Sequence, residues 1–183
     1  AAVNPNIVGV LSAGASIEMA WDKDLKAVLH CYLGGQAGAG AMLDLIMGRV
    51  NPSGKLAETY PTDLDATPAY NYYPAKERNT DHREGIYIGY RYFDTAGVPV
   101  KYPFGYGLSY TTFEYSDIAA DAAGVSFTLT NTGDRDGAEA AQLYVGLPDA
   151  DVFRAKKELK GFAKVFLKAG ESKTVTVELD DKA

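Results

Sequence analysis

The sequence predicts two consecutive domains: part of an α/β sandwich, with helices packed on a mixed sheet, and then an incomplete all-β sandwich. Three observations support this prediction. A short apolar run lies near the start of the chain, and two segments with helical spacing follow it. From about residue 113, apolar and polar residues alternate as they do in half-buried strands. We therefore assign residues 1–112 to the α/β domain and residues 113–183 to the all-β domain.

The first predicted element is a strand over residues 7–11, an apolar run that ends in small, turn-forming residues. Such a run is typical of a parallel strand that is buried on both faces. A helix is predicted next, over residues 22–33, because its apolar residues recur with the spacing of one helical stripe. Asp22 is its predicted N-cap, and Gly34 and Gly35 end it.

A second helix is predicted over residues 39–47, where the same apolar spacing recurs. Gly48 fits the position just after the end of that helix. A short strand is predicted over residues 56–60, following a turn.

A long irregular segment, residues 61–81, contains three prolines and three closely spaced tyrosines. Loops of this length in compact domains are usually functional lids, rims or interface pieces. Two interpretations of the tyrosines remain open: a rim that stacks on a sugar ring, or ordinary packing and interface residues.

Residues 82–94 are predicted to form a buried strand, because both alternating faces are largely apolar or aromatic. The charged side chains in it have three interpretations: internal ion pairs that brace the strand, contacts to a polar ligand, or an acid/base role for Glu84. Residue chemistry favours the brace, since buried charges need partners. The charged residues concerned are Arg83, Glu84, Arg91 and Asp94.

Five strand-like segments follow residue 113, and the sequences NTGDRDG and LKAGES read as hairpin-type turns between them. This part of the chain is shorter than the roughly 100 residues of a complete immunoglobulin-like sandwich. An incomplete sandwich exposes a strand edge, so we expect either that a partner completes it or that the chain is an excerpt of a longer one.

Composition excludes several classes of function. The chain has 183 residues and a formal net charge of −6 without any basic run, which argues against nucleic acid or an anionic membrane as partner. No apolar run approaches the roughly 20 residues that cross a bilayer. Cys31 is the only cysteine, so an internal disulfide is impossible. The start of the chain lacks an initiator Met and a basic stretch, and no targeting segment is predicted.

Motifs for cofactors, metals and nucleophilic catalysis are also missing from the sequence. The glycines of GGQAGAG follow a predicted helix and do not match the dinucleotide fingerprint. The only histidines are His30, interpreted as a surface residue, and His82, and no G-x-S-x-G elbow accompanies them. We therefore predict no cofactor and no metal site.

Three motifs carry a resemblance to a known family. NPSGKLAETYP, REGIYIGYRYFD and YPFGYGLSYTTFEYS, in that order, resemble the C-terminal half of glycoside hydrolase family 3 enzymes, which are β-glucosidases and related β-xylosidases. Residues 119–183 look like the start of the fibronectin type III-like domain found in many members. The resemblance covers essentially the whole chain.

This resemblance implies a retaining exo-glycosidase built from a barrel, an α/β sandwich domain and a fibronectin III-like domain. In the family, an Asp on the barrel is the nucleophile and the acid/base is commonly a Glu upstream of the segment resembling NPNIVGVLSAG. Neither residue has a matching position here, so we expect no catalytic residue in this chain and no activity from it alone. The expected partner is the barrel, on another chain or a missing segment.

The resemblance further implies that the chain forms one wall of a pocket for a β-glucoside or oligosaccharide. The charges of residues 82–94 would then be mainly internal braces. An alternative is a non-catalytic carbohydrate-binding or assembly module. The candidate substrate-binding residues are Tyr70, Tyr72, Tyr73, His82, Arg83 and Glu84.

Overall fold

The computed structural model describes residues 3–75 and 77–179. These residues are mostly sheet and irregular structure, with two short α-helices in the described part of the chain. They form two compact units: unit 1 contains residues 1–47 and 57–104, and unit 2 contains residues 48–56 and 105–183. Within the described ranges, no helix is long and apolar enough to cross a membrane.

Unit 1 contains two two-stranded sheets and both helices. Its elements are β1 (Val8–Leu11), β2 (Ala27–His30), α1 (Gly38–Ile46), β3 (Tyr60–Pro61), α2 (Tyr90–Ala96) and β4 (Val100–Tyr102). Strands β1 and β2 pair in parallel, with Val8 opposite Ala27, and β3 pairs antiparallel with β4. The predicted first strand is confirmed, but Val8 and Val10 are about half exposed in this chain rather than buried.

The predicted helix over residues 22–33 is wrong. The chain makes one 3₁₀ turn at Asp22–Asp24 and then enters β2, because hydrogen bonds to the parallel partner β1 override a spacing that also fits a helix. Asp22 caps no helix. Its buried carboxylate accepts a hydrogen bond from the Tyr102 hydroxyl at 2.5 Å and pairs with the Lys101 ammonium at 2.7 Å.

The predicted helix over residues 39–47 is confirmed as α1. Gly48 follows it with a φ of +68°, a left-handed conformation that glycine adopts without the cost paid by other residues. The predicted strand over residues 56–60 is much shorter, since only Tyr60–Pro61 pairs with another strand.

The predicted buried strand over residues 82–94 is also wrong. Residues 83–86 form a turn, and α2 occupies the second half of the segment. Gly89 has a φ of +53°, which ends any extended run at that point and precedes the helix. Phe93 then buries its ring, whereas Ile86 and Ile88 are 65% and 52% exposed. The apolar residues of this segment therefore do not form two buried strand faces.

Unit 2 contains the five predicted strands, and all five are confirmed. They are β5 (Phe113–Asp121), β6 (Gly124–Asn131), β7 (Gly137–Val145), β8 (Glu158–Leu167) and β9 (Ser172–Glu178). One sheet has the order β5-β6-β9 and the other consists of β7 and β8, with antiparallel pairing throughout. Leu129 of β6 and Leu167 of β8 have no exposed surface, and both belong to one core cluster with residues of β7 and β9.

The two predicted hairpin turns connect different sheets. NTGDRDG leads from β6 to β7 and LKAGES from β8 to β9, so both segments cross between sheets rather than join neighbouring strands. At the first crossing, Asn131 is fully buried. Its Oδ1 accepts hydrogen bonds from the Thr111 hydroxyl at 2.6 Å and the Gly133 N–H at 3.2 Å. Its Nδ2 donates to the carbonyls of Arg135 at 2.7 Å and Leu167 at 3.3 Å.

Residues 48–56 belong to unit 2 through specific polar contacts. The Oδ1 of Asn51 accepts hydrogen bonds from the Ser109 hydroxyl and the Tyr110 N–H, both at 2.8 Å, and its Nδ2 donates to the Asp136 carbonyl at 3.0 Å. The segment is thus held by residues that follow it in the chain by more than fifty positions.

Candidate functional site

The three candidate tyrosines lie on a series of tight turns in unit 1. The N–H of Tyr70 bonds to the carbonyl of Thr67, and the N–H groups of Tyr72 and Tyr73 both bond to the carbonyl of Ala69. These turns leave the rings accessible: Tyr70 is 48%, Tyr72 37% and Tyr73 71% exposed. The segment therefore presents aromatic surface rather than burying it.

Arg83 lies against one of these rings. Its guanidinium carbon is 4.8 Å from the centre of the Tyr72 ring, within the range of a cation–π contact. Its Nε and one terminal nitrogen donate to the same Asp81 oxygen, at 3.2 and 2.9 Å. The hydrogen bonds and charge of Asp81 raise the pKa of the guanidinium above its ordinary value. This ion pair is solvent-exposed, so for Arg83 it is not the internal brace that the sequence predicted. Its partner Asp81 was missed, because it precedes the charged residues that the prediction grouped together.

Glu84 occupies a different environment from its neighbours. Its side chain is only 9% exposed, and its Oε1 lies 3.4 Å from Nδ1 of His82, whose side chain is 79% exposed. Its Oε2 is buried without a hydrogen-bond partner among the described residues. The structure thus places His82, Arg83 and Glu84 on one turn, with Arg83 joined to the tyrosine segment through Tyr72.

A cavity of about 430 Å³ lies elsewhere in unit 1. Its walls include Tyr90 and Phe93 of α2, together with Phe104, Glu58 and Thr59. None of the six candidate residues lines it. Glu58 is its one carboxylate, and that group already accepts a hydrogen bond from the backbone N–H of Ser16 at 3.1 Å. The cavity therefore lacks the paired carboxylates that glycoside hydrolysis requires.

His30 is not the surface residue that the sequence suggested. Both of its ring nitrogens are buried without a hydrogen-bond partner among residues 3–75 and 77–179. Its ring centroid lies 3.9 Å from that of Tyr32 and 5.8 Å from that of Tyr60. Burial raises the pKa of Tyr60 to about 12. Tyr32 has a φ of +48°, an uncommon conformation for a residue with a side chain. The sequence did not predict this cluster of His30, Tyr32 and Tyr60, because the incorrect helix assignment placed His30 off the apolar stripe.

Residues 3–75 and 77–179 contain no group of three or more metal-ligating side chains close enough to hold an ion. Cys31 is half-buried, and desolvation raises the pKa of its thiol, so it is not poised as a nucleophile.

The model of the glycosyl hydrolase family 3 C-terminal domain matches residues 1–110. The chain belongs to glycosyl hydrolase family 3. The model of the fibronectin type III-like domain matches residues 139–183.

Two curated relatives in family 3 illustrate the similarity. The exo-alpha-(1->6)-L-arabinopyranosidase of Bifidobacterium breve is 51% identical over 100% of this chain and 25% of its own length. The thermostable beta-glucosidase B of Acetivibrio thermocellus is 49% identical, again over 100% of this chain and 25% of its own length. The chain thus spans about a quarter of the curated relatives that it matches.

Solved structures of family 3 enzymes have the same fold over this region. The GH3 beta-glucosidase of Bifidobacterium adolescentis aligns with a TM-score of 0.93 and 47% identity, over 99% of this chain and 28% of that one. The beta-glucosidase DesR of Streptomyces venezuelae, solved with D-glucose, aligns with a TM-score of 0.89 and 42% identity, over 98% of this chain and 24% of that one.

Proposed function

We propose that this chain is part of a retaining, β-glucosidase-like exo-glycosidase that hydrolyses terminal β-linked sugars. The similarity along 99% of the chain to a family 3 beta-glucosidase, with a TM-score of 0.93, is the observation that carries this proposal. The rest of the enzyme, including a barrel, is the proposed partner, and a β-glucoside or oligosaccharide is the proposed substrate.

In this proposal both reactive carboxylates lie outside residues 1–183. Retaining hydrolysis uses two carboxyl groups about 5–5.5 Å apart, one as nucleophile and one as acid/base. The single, already hydrogen-bonded carboxylate of the unit 1 cavity supports this assignment. The chain would contribute one wall of the sugar pocket. The proposed contact residues are Tyr70, Tyr72, Tyr73, His82, Arg83 and Glu84.

The proposal also assigns the observed sheets and helices to two specific domain architectures. Residues 1–112 would be the second half of an α/β sandwich with helices on a mixed sheet, and residues 113–183 part of a fibronectin III-like sandwich. The parallel β1–β2 pair and the two facing sheets of unit 2 support these assignments.

A carbohydrate-binding or assembly module is a second candidate, favoured by the exposed tyrosine rings, of which Tyr73 is 71% exposed. Calorimetric titration of the isolated chain with cellobiose separates the two candidates. A free-standing module binds the sugar, whereas one wall of a pocket does not.

The enzymatic proposal is tested with an aryl β-glucoside. The purified 183-residue chain is expected to release no p-nitrophenol, and the full-length protein that contains it is expected to hydrolyse the substrate. Proton NMR should show β-glucose as the first product, because two displacements retain the anomeric configuration. Steady hydrolysis by the isolated chain, or α-glucose as first product of the full-length protein, would contradict the proposal.

A further inference from the structure

The candidate residues include a small set of exposed aromatic and charged groups in unit 1. We call it the Tyr–Arg surface, and it comprises Tyr70, Tyr72, Tyr73, Asp81 and Arg83. Planar rings of tyrosine favour the C–H faces of sugar rings and other flat, neutral groups. The guanidinium of Arg83 is the only positive charge in the set. Its availability therefore decides which ligands the surface accepts.

Arg83 is not free to attract an anion. Two of its donor nitrogens bond to one Asp81 oxygen, and its guanidinium lies 4.8 Å from the centre of the Tyr72 ring. The Asp81 side chain is itself 63% exposed, so its charge faces any ligand that approaches. Glu84 adds a second carboxylate one residue after Arg83, and within the described part of the chain one of its oxygens has no hydrogen-bond partner. These carboxylates repel an anionic ligand, and such a ligand must also compete with Asp81 for the Arg83 guanidinium. Both effects weaken the binding of anions at this surface.

A neutral, hydroxyl-rich ligand meets no such obstacle. A guanidinium has five N–H donors. Two nitrogens of Arg83 bond to Asp81, and Tyr72 is a further hydrogen-bond partner, so these contacts do not use all five donors. Donors on the remaining edge can bond to sugar hydroxyls without any net charge being neutralised. The same ion pair thus admits a neutral sugar and disfavours an acidic one.

The openness of the surface indicates which end of a glycoside it would contact. An exo-acting enzyme encloses the terminal sugar, while the leaving group extends toward solvent. The three tyrosines are 37–71% exposed, and the cavity of unit 1 is lined by other residues. These observations fit the leaving-group end of the substrate.

Resting on the proposed function, we propose that the Tyr–Arg surface binds neutral leaving groups of β-glucosides, and that Asp81 is a specificity-determining residue that disfavours anionic ones.

The test compares two disaccharides in the full-length protein. Cellobiose carries a neutral leaving sugar, and cellobionate carries the same sugar oxidised to an anionic gluconate. Asp81→Asn should raise the cellobionate-to-cellobiose ratio of kcat/KM by roughly two- to fivefold, the value of an exposed charge pair, mainly through KM. The gain should shrink in about 0.5 M NaCl, because salt screens exposed charges. The double variant Asp81→Asn/Arg83→Gln should lose the gain, since Arg83 supplies the attraction.

Asp65→Asn is the matched control. Asp65 is an exposed carboxylate in the same long loop, and its removal changes the net charge equally. Thermal unfolding of each variant checks the fold. An unchanged substrate ratio in Asp81→Asn, or an equal change in Asp65→Asn, overturns the inference while leaving the proposed function intact. If the wild-type protein hydrolyses neither disaccharide nor an aryl β-glucoside, the proposed function fails instead.

Discussion

Asn131 holds the first crossing between the sheets of unit 2, and its replacement by alanine tests that role. The side chain is fully buried and makes four hydrogen bonds. Alanine removes all four at once. It leaves the buried Thr111 hydroxyl, the Gly133 N–H and the carbonyls of Arg135 and Leu167 to find new partners.

The expected loss follows from the distances. A typical intramolecular hydrogen bond contributes about 1 kcal/mol net. Counting the bonds at 2.6 and 2.7 Å fully and those at 3.2 and 3.3 Å as half gives a destabilisation of about 3 kcal/mol. For a unit of this size, that loss lowers Tm by roughly 12–24 °C.

Hydrogen exchange measured by mass spectrometry reports on unit 2 separately from unit 1. Protection of the most stable amides of β6 should fall about 100-fold in Asn131→Ala. Thr130→Ala is the control, because this neighbouring threonine makes one exposed hydroxyl contact to Ser172 at 2.8 Å, so its loss should cost less than about 1 kcal/mol. If the two variants exchange at similar rates, the side chain of Asn131 does not hold the crossing.

Two further predictions concern single contacts. Tyr102→Phe removes a donor to Asp22, whose pKa is lowered by Lys101 and Tyr102, and should destabilise unit 1 by about 2 kcal/mol at pH 7. A depressed carboxyl pKa contributes stability that is present above the ordinary value of 3.8 and is lost as pH falls through the lower native value. The difference from wild type in urea unfolding should therefore shrink as the pH is lowered below 3.8. Gly107→Ala places a Cβ 2.5 Å from the carbonyl oxygen of Gly54, so thermal unfolding should reveal a loss of about 2 kcal/mol or more; an unchanged Tm would show that the backbone moves aside freely.

The strands of unit 2 were predictable because their signal is local. In β6, Phe127 and Leu129 alternate with threonines, and the structure buries the former more deeply than the latter. The alternation needs no knowledge of the partner strand. The side-chain role of Asn131 was not predictable, since its acceptors and donors come from residues up to 36 positions away.

The secondary-structure predictions for unit 1 were wrong where the apolar residues of one segment fit both a helical and a strand spacing. Residues 25–33 fit a helical stripe, but β1, whose residues pair with those nineteen positions later in the chain, supplies a parallel partner that decides the outcome. In residues 82–94, the apolar residues suggested a strand although Gly89 permits the turn that precedes α2. The tyrosine rings are exposed, but Asp81, the last residue of the same irregular segment, carries no sequence signal that marks it as the ion-pair partner of Arg83.

Unit 2 is built from two separate stretches of the chain, and this affects how such proteins can be recombined. A chimera made with a single crossover after residue 104 imports β5 to β9 but keeps the host's residue at position 51. The bonds from Ser109 and Tyr110 then survive only if the host also supplies asparagine there. Grafting this unit therefore means transplanting a nine-residue piece, residues 48–56, along with the strands.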